Sequence, residues 1–137
     1  MSNITQLPRW VLLYHQSGPG LGRPSHWDLL IQNGDLLDAW AFDSNPLEHS
    51  PCDGICLKSH RLKYLEFEGD LSDNRGAVAR ISEGNVLSAD RSPDGCGTFE
   101  LELDSIPAQP IHLEISPLNP STHPLAPGDP VRIQILT

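Results

Sequence analysis

The chain has 137 residues, 38% of them hydrophobic and 20% charged, a size that supports one core without disulfide staples, so a single domain over residues 1–137 is expected. Its 18 acidic residues outnumber 9 basic ones, and a formal charge of −9 excludes generic binding along a nucleic-acid backbone, which needs clustered Lys and Arg to displace counterions. No apolar run is long enough to span a bilayer, and the first ten residues lack a basic start followed by an apolar stretch, so a cytoplasmic protein without a membrane partner is expected.

The 13 prolines and 11 glycines divide the chain into short segments rich in Leu, Ile, Val and Trp, and no amphipathic helical period persists. Residues 10–15 predict a first strand. Residues 16–25, with Gly18, Pro19, Gly20, Gly22 and Pro24, cannot continue it and read as a mobile loop. Residues 26–32 alternate: His26, Asp28 and Leu30 share one face and Trp27, Leu29 and Ile31 the other, because side chains on a strand have period two. Asn33-Gly34 signals a type I′ hairpin turn, in which both central residues need positive φ, and residues 36–42 form the returning strand.

Residues 43–54, rich in Ser, Asn, Pro and Asp, predict a loop that leads into a short element ending near His60. Further strands are expected at 64–69, 77–81, 86–89, 98–103 and 111–115, with turns at Glu83-Gly84-Asn85 and Pro93-Asp94-Gly95. Prolines make 116–130 a strap, and 131–136 alternates as a last edge strand beyond a core of about 9–115. This pattern is mainly β, a barrel or sandwich with short flanking helical or irregular elements.

Cys52, Cys56 and Cys96 are an odd set, and Cys52 and Cys56 lack the second close pair that structural zinc sites use, so free thiols are expected. Lys58, Arg61, Lys63, Arg75 and Arg80 gather in the middle third, as a small cationic patch or as separate solvated charges. Trp10, Trp27 and Trp40 suit core and rim packing better than base stacking, and His49, His112 and His123 read as surface residues. No Gly-rich phosphate loop is present, which speaks against nucleoside triphosphate use. By spacing alone, His26 and Asp28 fit either a structural pair or two metal ligands.

His15, a Gly/Pro-rich gap, His26-Trp27-Asp28-Leu29, Trp40-Ala41, and then His60-Arg61-Leu62-Lys63-Tyr64-Leu65-Glu66-Phe67-Glu68-Gly69 follow in an order that resembles the 3′-phosphoesterase module of bacterial DNA ligase D, over roughly residues 10–103. The resemblance implies a compact antiparallel β-barrel that removes 3′-phosphates or 3′-ribonucleotides from DNA or RNA–DNA ends in repair. It implies a divalent metal, manganese first and zinc or another transition metal next, held by His15, His26 and Asp28, with His60 and Tyr64 as catalytic partners at the phosphate. Two imidazoles and one carboxylate leave positions open, so a bound metal can polarise a phosphoryl oxygen and activate water. No Lys-x-Asp-Gly nucleotidyl-transfer motif is present, so ligation would fall to a separate ligase, with or without a polymerase.

The chain departs from that family at its phosphate clamp. The arginine two residues after the metal-binding Asp is here Leu30, the acidic residue two before the later His is Lys58, and the lysine after Trp-Ala is replaced in the Phe42-Asp43-Ser44 region. The gap from His15 to His26 is also longer than in the family. By residue type, Arg61, Arg75 and Arg80, with Arg23 and Lys58, are the cations that suit phosphate oxygens. Two further readings follow from the acidic charge and Leu30: a non-catalytic metal-binding or DNA-end recognition module on the same fold, and a phosphoesterase for a small acidic substrate.

Overall fold

The computed structural model describes residues 6–20, 22–119 and 123–136. Its elements are β1 Arg9–Gln16, β2 His26–Asn33, β3 Leu36–Phe42, β4 Cys52–Cys56, β5 His60–Arg61, a 3-10 helix Leu62–Leu65, β6 Gly69–Asp70, β7 Ala77–Arg91, β8 Gly97–Leu103, β9 Ile106–Pro117 and β10 Pro130–Leu136. Eight strands pair antiparallel in the order β1-β2-β3-β4-β10-β9-β8-β7, and β7 pairs back onto β1 to close the barrel. Outside that ring β5 adds to β3 and β6 to β7. Closure satisfies both edges of every barrel strand, which is how a chain of short β segments avoids exposing a pairing edge.

An eight-stranded barrel is just wide enough for its own side chains to fill it. Trp10, Leu12, Leu29, Ile31, Trp40, Phe42, Phe99, Leu101, Leu113, Ile115, Val131 and Ile133 do so, none more than 2% exposed. The Trp10 indole N–H donates to the Glu102 carbonyl at 2.9 Å, which satisfies the one polar atom that the ring carries inward. Trp40 meets Phe99 edge to face, and Trp27 stacks against Tyr14 at the rim, so all three tryptophans pack as expected. Because the lumen is packed, ligand chemistry falls to the outer surface. There Val11, Leu13, Leu30, Leu37 and Ala39 form a second apolar cluster, roofed by Leu57, Tyr64 and Leu65.

Several expectations are corrected by tertiary pairing. The β2–β3 hairpin turns on Gly34-Asp35, not Asn33-Gly34: Asn33 pairs with Leu36, and Gly34 alone has positive φ (62°), as in a type II′ turn. This register sets Asp38 opposite Ile31, where Arg91 donates to its carboxylate at 2.8 Å. Residues 83–85 are not a turn, because β7 runs unbroken through them. A Cβ on Gly84 would stand 1.5 Å from the Glu102 carbonyl oxygen, so this glycine marks a close strand approach.

Residues 64–69 are not a strand: the 3-10 helix folds Tyr64 and Leu65 down onto the outer cluster, and only Gly69–Asp70 pairs. Residues 131–136 are not an edge strand. β10 pairs with β4 and β9, with Val131 and Ile133 fully buried, so the core extends past 115. The strap is shorter than expected, since β9 reaches Pro117 and Pro130 opens β10; residues 120–122 lie outside the described residues. Among the described residues, no helix is long and apolar enough to cross a membrane.

Candidate metal centre

Strand parity builds the site. On β1 the outward positions are Val11, Leu13 and His15, and on β2 they are His26, Asp28 and Leu30. Antiparallel pairing sets His15 directly across from His26, and Leu13 across from Asp28. The two imidazoles and the carboxylate thus meet on the barrel's outer face, beside the apolar cluster, and are buried with 6%, 4% and 5% exposure. One potential ligand atom from each lies within 4.8 Å of the others. Among the described residues this is the group of His, Cys, Asp and Glu side chains that can hold a metal ion.

Backbone carbonyls orient both rings. His15 Nε2 stands 3.0 Å from the Arg75 carbonyl and His26 Nδ1 stands 2.9 Å from the Pro24 carbonyl. A carbonyl only accepts, so each of these nitrogens carries the proton and donates, leaving lone pairs on His15 Nδ1 and His26 Nε2. Those lone pairs face Asp28, at 3.7 Å from Oδ2 and 3.1 Å from Oδ1. His26 Nε2 and Asp28 Oδ1 are fully buried, yet neither makes a hydrogen bond. Acceptors buried against one another repel unless a cation sits between them.

The donor set fits a divalent metal. Ligand atoms that share an ion at roughly 2.1 Å stand roughly 3.0 to 3.5 Å apart; the two imidazole–carboxylate spacings, 3.7 and 3.1 Å, are near that range, and the whole group, within 4.8 Å, would draw in slightly around an ion. Carbonyl acceptors behind each imidazole are the arrangement that fixes tautomer and ring orientation in metal-binding histidines. Burial pushes the Asp28 carboxyl up; what pulls it below the usual carboxylate range is a proton or positive charge at the imidazole nitrogens facing it, a place that a metal ion would fill in the tautomers set by the carbonyls.

The Arg75 carbonyl is placed by backbone packing between the 16–20 and 73–76 segments. Gly20 donates to the Asn74 carbonyl at 2.8 Å, so this part of the expected mobile loop is tied down. Gly76 has φ 98°, and a Cβ there would stand 1.8 Å from the Gln16 carbonyl oxygen. Only glycine meets both demands, and it is the residue next to the carbonyl that holds His15.

The side chains of the other residues singled out from sequence make their contacts elsewhere, although the Arg75 carbonyl holds His15. His60 pairs with Leu37, four residues along β3 from Ala41, which pairs with Asp28; at about 3.3 Å per residue that is roughly 13 Å. His60 donates from Nδ1 to the Lys58 carbonyl at 2.8 Å and meets Tyr64 edge to face, while Tyr64 packs on the outer apolar cluster. Arg61 is exposed on β5. The Arg75 guanidinium is held by Ser72, and that of Arg80 by Glu83, Glu68 and the Glu66 carbonyl. These cations do not gather at the triad. Leu30, where the resemblance expects an arginine, is fully buried under the roof of the outer cluster.

A cavity of about 340 Å³ opens beside His26, lined also by Arg23, Ala41, Asp43, Asp53 and Ile55. Arg23 was named from sequence only as one of several cations, Asp43 only within the segment where the expected lysine is replaced, and Asp53 carried no sequence signal. The Pro24 and Arg75 carbonyls were equally invisible, since any residue offers one. The three cysteines are free thiols; burial pushes Cys96 up to about 12 and Cys52 to about 11, which keeps both protonated and poor as metal ligands. His49 and His123 are exposed, and His112 is exposed in an ion pair with Glu100. Compared with known proteins, the chain matches no family model and no curated protein.

Proposed function

We propose that this chain is a divalent-metal-dependent phosphoesterase whose metal is held by His15, His26 and Asp28. The observation that carries it is the convergence of three buried lone-pair atoms that have only one another to face. When bound, the metal supplies Lewis acidity toward a phosphoryl oxygen and lowers the pKa of a bound water. The chain's own contribution is to hold two imidazoles in the ligating tautomer beside Asp28 and to open a cavity at the His26 side of the triad. The resemblance implies 3′-phosphate or 3′-ribonucleotide ends of DNA as substrate, manganese as metal, and a separate ligase downstream.

A second reading, a phosphoesterase for a small acidic substrate or a binding module that does no chemistry, is favoured by the clamp. Arg80 is occupied by glutamates and Leu30 is buried, so neither supplies a phosphate clamp for a polyanion. The test is release of phosphate from a 3′-phosphorylated DNA primer with and without manganese, for wild type and His26→Ala. Manganese-dependent release that the substitution abolishes supports end processing. Metal bound without release supports the second reading, and equal metal occupancy in both proteins removes the ligand assignment.

A further inference from the structure

The cavity beside His26 has its own architecture. One rung of the sheet crosses four strands, Asp28 on β2, Ala41 on β3, Ile55 on β4 and Pro130 on β10, so the cavity floor is a direct continuation of the metal triad. Ala41, Ile55, Pro130 and Leu118 make that floor apolar. Above it stand Arg23, Asp43 and Asp53. Arg132 donates to both carboxylate oxygens of Asp53, at 2.7 and 3.2 Å, and so cancels its charge. The Arg23 guanidinium makes no hydrogen bond or ion pair among the described residues, whereas Arg9, Arg75, Arg80, Arg91 and Arg132 are all engaged.

Resting on the phosphoesterase reading, the geometry points to a small phosphomonoester as the substrate class, with Arg23 holding the phosphate and the rung Ala41–Ile55–Pro130 seating a compact apolar or aromatic group. Guanidinium is the side chain best matched to two phosphate oxygens at once. Arg23 offsets Asp43 and Arg132 offsets Asp53, so the charge left in the cavity is the excess of a divalent ion over Asp28. That excess suits one phosphate group. A DNA duplex would bring many, against a protein whose formal charge is −9. A volume of about 340 Å³ also lies at the small end for ligand pockets. In the reaction water forms the new phosphorus–oxygen bond, the ester phosphorus–oxygen bond breaks, and the alcohol leaves with a proton while inorganic phosphate stays.

The test compares phenyl phosphate with a 3′-phosphorylated DNA duplex as substrates of the manganese-loaded full chain, and measures binding of inorganic phosphate by calorimetry. Expected are a higher kcat/KM on phenyl phosphate than on the duplex and, in Arg23→Gln, roughly tenfold increases in KM and in the Kd for phosphate, with smaller change in kcat. Arg23→Lys should recover part of the loss, and Ile55→Ala should raise KM for phenyl phosphate while leaving phosphate binding intact. Preference for the duplex, or an Arg23→Gln enzyme with unchanged KM and phosphate affinity, overturns this pocket and leaves the phosphoesterase reading standing. Arg23-dependent phosphate binding with no ester cleaved does the reverse. Neither binding nor cleavage removes both.

Discussion

Replacing Asp28 by asparagine separates a metal centre from a structural ion pair, because the two predict opposite signs for the metal-free protein. Asparagine has nearly the shape of aspartate, so packing around a residue only 5% exposed is preserved. Its amide can donate, and His26 Nε2, a buried acceptor without a partner, waits 3.1 Å from the position of Oδ1. A buried unsatisfied acceptor costs about 1 to 3 kcal/mol, so supplying one donor should recover about 1 kcal/mol. For a chain of this length that is a rise of roughly 3 to 5 °C in Tm without metal. In wild type, manganese at about a hundred times its Kd should add about 2.7 kcal/mol, and this gain should vanish in Asp28→Asn. The assay is thermal unfolding of both proteins, with chelator and with manganese. If the metal-free variant instead loses about 3 kcal/mol or more, the carboxylate was the partner of a protonated imidazole, and a variant that keeps the full metal-dependent shift shows that Asp28 is no ligand.

Gly76→Ala, which must move the Arg75 carbonyl away from His15, should weaken metal affinity about 10- to 100-fold in a calorimetric titration; unchanged affinity would show that the carbonyl does not orient the ring. Leu30→Arg, which introduces the arginine that the resemblance expects, should cost about 3 to 5 kcal/mol in urea unfolding, since it buries an unpaired charge; a stable variant with new phosphate affinity would refute the buried roof. His60→Ala should leave manganese affinity unchanged, because the register holds it far along β3 from Asp28. Hydrogen bonds from Arg9, opposed by slight burial and aided by its charge, hold the Asp104 carboxyl below the usual range, so its stabilisation is present above the unfolded carboxylate pKa and lost as pH falls through the folded one. Wild type should therefore exceed Asp104→Asn in urea midpoint at neutral pH, with the gap closing toward about pH 3; a gap independent of pH would remove this linkage.

Period-two patterning made the first hairpin and the shared face of His26 and Asp28 legible in the sequence, whereas His15 joined them there only through the resemblance. Once residues 26–32 alternate and pair with 10–15, His15, His26 and Asp28 fall on one face, and the register does the rest. What stayed hidden depends on partners distant in sequence. Glycine in the Glu83-Gly84-Asn85 segment looks like a turn, but the requirement comes from Glu102, 18 residues on, whose carbonyl takes the space of a Cβ. The type II′ turn differs from the expected one by a single step, and cross-strand packing decides it. The strand expected at 64–69 failed because its alternation served a different purpose: Tyr64 and Leu65 are apolar because they roof a surface.

That roof also bears on where a phosphate could be held beside the triad. The outer face of β1, β2 and β3 has to be covered somewhere, and the chain between β4 and β7 covers it with Leu57, Tyr64 and Leu65 resting on Leu30 and Leu37. With Leu30 as part of that apolar seat, a cation there would be stranded without water; the covering segment turns Arg75 to Ser72, and Arg80 on β7 turns to glutamates. Under the proposed phosphoesterase reading, phosphate recognition comes from the uncovered side of the triad, across β3, β4 and β10. Arg23 is the cation that stands there without a partner among the described residues, over a floor in register with Asp28. The packing that buries Leu30 therefore leaves one flank of the triad open to a phosphate, and the proposed reading requires the substrate to approach from that flank.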